Sequence, residues 1–135
     1  MELVVDANVV ISALVALCGK TRELIFSDKL KLYAPEYLLE EVKKHEKEVL
    51  DKSKLSNNDL ELALTLISSN IEFVPFSEFK SFISRASEIC PDHNDTKYFA
   101  LALKLECAIW SNDKKIKEQG FVRVISTSEF LNMFL

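Results

Sequence analysis

Asp6 closes the first apolar run of the chain, Leu3-Val4-Val5, and Asp113 follows a later one, Ala108-Ile109-Trp110, after Ser111 and Asn112. Asp95 opens an apolar helical pattern and Glu41 lies inside another. A carboxylate just past the end of a buried strand is costly unless something uses its charge. A divalent cation is the simplest user. Carboxylates with little His or Cys support form a hard oxygen donor set, which suits Mg²⁺ or Mn²⁺ rather than Zn²⁺. Such an ion takes phosphate oxygens of a substrate as further ligands, acidifies an attacking water and offsets charge on the leaving oxygen. The chemistry this favours is phosphodiester hydrolysis. It needs no protein general base, which fits a chain whose two histidines, His45 and His93, have no nucleophile beside them in sequence. Without the ion the acids repel one another, so at least one carboxylate pKa is expected to be raised.

Each acid also has a plainer reading. Asp6 could cap the helix that follows it, but Asn8 is the better-placed cap, which leaves Asp6 without a structural role. Glu41 lies on the flank of the apolar stripe Leu38, Leu39, Val42, Val49 and Leu50. It can reach inward to a metal or outward into a helix pair, and the pattern supports both equally. Asp92 reads as a helix cap. Asp95 sits in the first turn on the core side, ahead of Phe99 and Ala102, where a helix N-terminus keeps a carboxylate ionised. Asp113 could cap a short segment from Lys114 to Glu118, but its position mirrors that of Asp6 and favours a functional role. Ser111 and Asn112 are placed to hydrogen-bond a ligand or a bound water. Phe79 and Phe82 read as core rather than as a base-stacking platform. No Walker loop or Gly-x-Ser-x-Gly elbow is present.

The elements that must position these residues alternate. Strands are expected over Glu2 to Val5, Leu30 to Tyr33, Ile71 to Phe76, Ala108 to Trp110 and Val122 to Ile125. Helices are expected over Val9 to Leu17, Thr21 to Ser27, Pro35 to about Leu50, and from a Ser56 cap through Ile67. Further helices are expected over Phe79 to Ile83 after a Ser77 cap, over Asp92 to Leu105, and from Ser126 onward. Apolar strands separated by helices imply a mostly parallel sheet covered on both faces. Ligands of such sheets bind outside the carboxyl ends of the strands, the edge that Asp6 and Asp113 would share.

The chain has 135 residues, 48% hydrophobic and 28% charged, which fits one soluble domain over 1–135. No apolar run is long enough for a bilayer and no signal-peptide pattern opens the chain, so a cytoplasmic location is expected. The net charge of −4 argues mildly against a nucleic-acid partner, an objection that weakens if several acids are metal ligands. Lys43, Lys44 and Lys47, and Lys114, Lys115 and Lys117, each read as a solvated helix face. Cys18, Cys90 and Cys107 match no zinc spacing and read as buried free thiols.

Taken together, four segments resemble the motifs of PIN-domain proteins, in order and at family-like spacing. They are Val4-Val5-Asp6-Ala7-Asn8-Val9-Val10-Ile11-Ser12-Ala13-Leu14; Pro35-Glu36-Tyr37-Leu38-Leu39-Glu40-Glu41-Val42; Asp92-His93-Asn94-Asp95 with Tyr98 to Leu103; and Ile109-Trp110-Ser111-Asn112-Asp113. The resemblance implies a three-layer α/β/α fold with a parallel sheet of about five strands. It implies a Mg²⁺- or Mn²⁺-dependent endoribonuclease acting on RNA, in many relatives the toxin of a toxin–antitoxin pair, with an antitoxin partner and a homodimeric state. Carried over, Asp6, Glu41, Asp95 and Asp113 form the acidic site, Asp92 is an extra metal ligand, and Asn8 and Ser111 shape it. Ser111-Asn112 departs from the Thr-Gly or Thr-Asn of many relatives, and residues 50–76 carry no motif of the family. A non-catalytic PIN-like module that binds RNA or protein is the competing class. A phosphatase-type site is disfavoured, because Asn8 stands where a second Asp is needed.

Overall fold

The computed structural model of the chain describes residues 1–16 and 19–134. Five strands, β1 (Glu2–Val5), β2 (Lys31–Pro35), β3 (Ile71–Val74), β4 (Ala108–Trp110) and β5 (Val124–Ile125), form one all-parallel sheet of order β3-β2-β1-β4-β5. The connections are helical. α1 (Ala7–Val15) and α2 (Lys20–Ile25) link β1 to β2, and α3 (Tyr37–Lys44), α4 (Glu46–Ser53) and α5 (Asn57–Ser68) link β2 to β3. α6 (Phe76–Phe79), a 3₁₀ turn Lys80–Phe82, α7 (Ile83–Ile89), a second 3₁₀ turn His93–Asp95 and α8 (Thr96–Leu105) link β3 to β4. α9 (Lys114–Lys117) leads to β5, and α10 (Thr127–Phe134) follows it. The strand order grows outward from β1 in both directions. Right-handed crossovers therefore send α1–α5 to one face and α6–α9 to the other, giving three α/β/α layers.

Burial follows from this layering. Leu3, Val4 and Val5 have no exposed surface, as a central strand covered on both faces requires. α8 buries five consecutive residues, Tyr98 to Ala102. Such a helix is covered all round, here by the sheet, α7 and the Lys80–Phe82 turn. α10 docks through Phe130, fully buried, with its ring edge-on to Trp110 at 5.5 Å and stacked on Phe134 at 6.1 Å. Its first turn closes a capping box: Ser126 Oγ accepts from the Glu129 N–H, and Glu129 Oε1 accepts from the Ser126 N–H. Among the described residues, no helix is long and apolar enough to cross a membrane.

Several sequence expectations need correction. Asn8 does not cap α1; Asp6 occupies that position, extended at φ −80° and ψ 148°, and its carbonyl accepts the Val9 N–H at 3.1 Å. The helix expected from Pro35 to Leu50 is two helices with a break at His45, since both α3 and α4 pack against α1 and the chain bends to follow it. Pro35 ends β2 instead, beyond the last pairing of β2 with β1, where a missing N–H removes no bond between them. Pro75, not Ser77, precedes α6, and β3 stops at Val74. β5 is shorter than expected. Ser56 does cap α5, accepting from the Asp59 N–H at 3.1 Å. Cys90 and Cys107 are free but only half-buried, while Cys18 and the Leu17 end of the first expected helix lie outside the described residues.

Phe130→Ala removes a ring buried against Trp110 and Phe134. It should cost about 3–5 kcal/mol, read as a lowered urea midpoint at unchanged m-value.

Candidate active site

The site is built on one register. β1 and β4 pair as Leu3↔Ala108, Val4↔Ile109 and Val5↔Trp110. The Asp6 N–H extends that ladder, donating to the Trp110 carbonyl at 3.0 Å, so Asp6 and Ser111 leave the sheet side by side. The Ser111 hydroxyl, buried, donates to Asp6 Oδ2 at 2.7 Å. Ser111 Oγ in turn accepts the Asp113 N–H at 3.1 Å and, at the longer distance of 3.5 Å, the Asn8 side-chain amide. One hydroxyl thus ties the β1 and β4 ends together. Asn8 Oδ1 is buried beside them with no hydrogen-bond partner among the described residues. A buried acceptor without a donor is a cost that a cation or its water would relieve.

The remaining acids come from two helices on opposite layers. Glu41 projects from α3, and its Oε1 accepts the Tyr98 phenol at 2.5 Å. Tyr98 lies on α8, three residues after Asp95, which stands at the N-terminal boundary of that helix and makes no capping bond. Asp92 is exposed one turn earlier and caps the Asn94 N–H at 3.0 Å. Asp113 caps α9 through the Lys115 N–H at 2.9 Å. The capping roles read for Asp92 and Asp113 are therefore present. Asn112 is committed as well, since its Oδ1 accepts the Thr127 N–H at 2.8 Å. His45, one turn beyond Glu41, turns outward to Glu48.

Electrostatics gathers these groups into one field. Burial raises the Asp6 pKa to about 6, with Glu41 adding repulsion, while the Ser111 hydroxyl and the Asn8 and Ala7 amides pull it down. Asp95 is pushed up to about 7, first by burial and then by Asp6, Asp92, Asp113 and Glu41. Four carboxylates therefore lie within electrostatic reach of Asp95, making a group of five. Among the described residues, none of the five has a salt-bridge partner. As the side chains stand, no three His, Cys, Asp or Glu residues among those described converge to hold an ion. The donor set is all oxygen, and Asp92 and Asp113 each spend one carboxylate oxygen on a backbone amide. A cleft of about 310 Å³ opens beside Ser111 and Asp113 and is bordered by Lys114 and Lys117. An apolar groove of about 270 Å³, lined by Leu14, Val42, Val49 and Leu60, contains none of these five carboxylates.

Tyr98 is the site residue that sequence reading missed. Its spacing from Asp95 put it one turn along the same helix, but a tyrosine in an apolar stripe reads as core. Burial and the Glu41 carboxylate hold its phenol protonated, so it stays a donor to Glu41.

A folded-state pKa above the unfolded value means that the folded protein binds the proton more tightly. Stability should thus fall as pH rises from about 4, the unfolded Asp value, through the folded values of about 6 and 7. Asp95→Asn removes the more strongly shifted group. After allowance for solvent screening of a half-buried carboxylate, it should stabilise the metal-free protein by about 1–2 kcal/mol at pH 8. Urea unfolding at pH 4 and pH 8 checks this, with the two proteins converging at the lower pH.

A search of curated proteins returns no match to this chain. The family model described as PIN domain matches residues 4–131, a span that contains all five carboxylates and every strand except the first two residues of β1. With an all-parallel five-stranded sheet between two helical layers and its acids at the strand ends, the chain belongs to the PIN-domain family, a nuclease-type fold.

Proposed function

We propose that this chain is a Mg²⁺- or Mn²⁺-dependent endoribonuclease whose site is Asp6, Glu41, Asp95 and Asp113, with Asp92 as a further ligand and Asn8 and Ser111 in support. The observation that carries the reading is the Asp95 carboxylate, raised first by burial and then by four other acids, with no salt bridge among the described residues to offset them. Clustered charge of one sign at the carboxyl edge of a parallel sheet is a standing cost, and a divalent cation removes it. The residues fit such an ion in chemistry: all are oxygen donors, and Asn8 Oδ1 is an acceptor still unpaired among the described residues. Asp6, Asp95 and Asp113 would hold it. When bound, the ion supplies an acidified water and charge stabilisation on phosphate oxygens.

The chain's own groups do the rest. Ser111 orients Asp6 through its 2.7 Å hydrogen bond and fixes the Asp113 backbone. Tyr98 orients Glu41 from the second layer of helices. Lys114, beside the cleft at Asp113, offsets the charge of an incoming phosphate backbone, while Lys117 there is paired with Glu129. In this reading the protein is a cytoplasmic toxin of a toxin–antitoxin pair, works as a homodimer, and is held in check by an antitoxin.

One observation favours a second reading, a non-catalytic module that binds RNA or protein. Asp92 and Asp113 are engaged as caps, and no three ligands converge among the described residues.

The two readings separate in a cleavage assay on varied RNAs with Mg²⁺ or Mn²⁺. Catalysis predicts that Asp6→Asn and Asp95→Asn each lose about 10²-fold or more, because metal stabilisation is worth several kcal/mol. Tyr98→Phe should lose about tenfold, as expected of a residue that positions a ligand. RNA binding unchanged by the Asn variants, with no cleavage under any metal, would establish the second reading instead.

A further inference from the structure

A second cleft, of about 490 Å³, lies beside the carboxylates and is lined by Pro35, Tyr37, Phe73, Phe76, Phe79 and Lys97. It adjoins the site through both helices. Tyr37 is four residues before Glu41 on α3, on the same side and one turn away. Lys97 lies between Asp95 and Tyr98, whose phenol reaches Glu41.

Of these rings Phe76 is presented to solvent, while Tyr37 and Phe73 are half-buried. Phe76 is 48% exposed and is held edge-on at 5.5 Å by Phe79, which is buried. A lone exposed Phe needs no explanation. Here, however, the Lys97 ammonium lies 4.0 Å from the Tyr37 ring centroid and 5.9 Å from that of Phe76. Lys44 approaches Tyr37 as well, at 5.5 Å. The two ammonium groups lie over the Tyr37 ring and leave Phe76 as the open face. An open aromatic face with a cation beside it is what single-stranded RNA binds: a base stacks on the ring and a phosphate meets the ammonium group. Glu36 and Glu40 also border the cleft. They disfavour a phosphate inside it, so the neutral base is the part that enters.

We propose that this cleft is a subsite for one unpaired nucleobase of the RNA, stacked on Phe76, with Lys97 on the adjoining phosphate. The substrate class rests on the nuclease reading above. An unpaired base enters the subsite more readily, since a paired one must first be flipped out, which costs free energy.

The test compares wild type with Phe76→Ala and Phe76→Leu, using single-stranded RNAs intact or with one abasic residue moved along the strand. Thermal melting confirms folding, and Leu keeps the packing on Phe79 without a stacking face. Kd is read by fluorescence anisotropy with Ca²⁺ in place of Mn²⁺, and KM and kcat are read with Mn²⁺. One abasic position should weaken wild-type binding about tenfold, the Phe76 variants should lose a similar factor on intact RNA, and the two losses should not add. KM should rise with kcat nearly unchanged. Lys97→Met should lower the salt dependence of binding by about one phosphate. Cleavage that proceeds with no abasic-sensitive position and no Phe76 effect overturns the subsite and leaves the nuclease reading standing. Position-specific binding lost in Phe76→Ala, with no cleavage under any metal, supports the subsite and overturns the nuclease reading.

Discussion

The parallel pairing of β1 with β4 is the constraint on which the site depends. It brings together two chain segments separated by about a hundred residues and aligns Val5 with Trp110. From that register the next residues, Asp6 and Ser111, must emerge adjacent at the same sheet edge. β1 is also the first strand on either side of which the order grows, so its end is the switch point where crossovers to opposite faces part and leave a crevice. A slip of one residue in this pairing would turn both side chains to opposite faces.

Placing a carboxylate at the end of a fully buried central strand has a cost, and the fold meets it with local dipoles. Asp6 receives the Ser111 hydroxyl and is eased by the nearby amides that open α1, yet its pKa still rests well above an ordinary aspartate. The same hydroxyl accepts the Asp113 amide, so the two strand ends are coupled through one oxygen. Asp95 has no comparable help. It sits at a helix boundary without a capping bond and takes the repulsion of the whole cluster. The stability lost there is local, and the surrounding core, with Leu3 to Val5 and Tyr98 to Ala102 buried throughout, is what tolerates it.

The strands were the most legible part of the chain. β1 and β4 occur at the residues that their unbroken apolar runs define, because two-sided burial leaves no room for polar interruption. Helix boundaries were less legible. The apolar stripe from Leu38 to Val49 runs through the His45 break, since a bend around α1 alters direction without altering which residues are buried. Cap assignment at Asn8 failed for a related reason. Asp6 and Asn8 are both good capping residues, and where α1 starts is decided by where β1 must stop. Phe79 was correctly read as core, but the neighbouring Phe76 was not singled out, because exposure of one of two nearby phenylalanines depends on what packs over them.

By itself the sequence determined the alternation of elements, the parallel character of the sheet and the identity of the acids, since those rest on local burial pattern and residue chemistry. The family resemblance in four ordered motifs added the grouping of those acids. Only the tertiary structure decided the strand order, the Ser111 bridge between Asp6 and Asp113, the Tyr98–Glu41 bond and the placement of Tyr37, Phe76 and Lys97 around one cleft. The physical reason is range. Periodicity reports what a segment buries, whereas a hydrogen bond or a stacking face between distant segments depends on register and crossing geometry, which no single segment encodes.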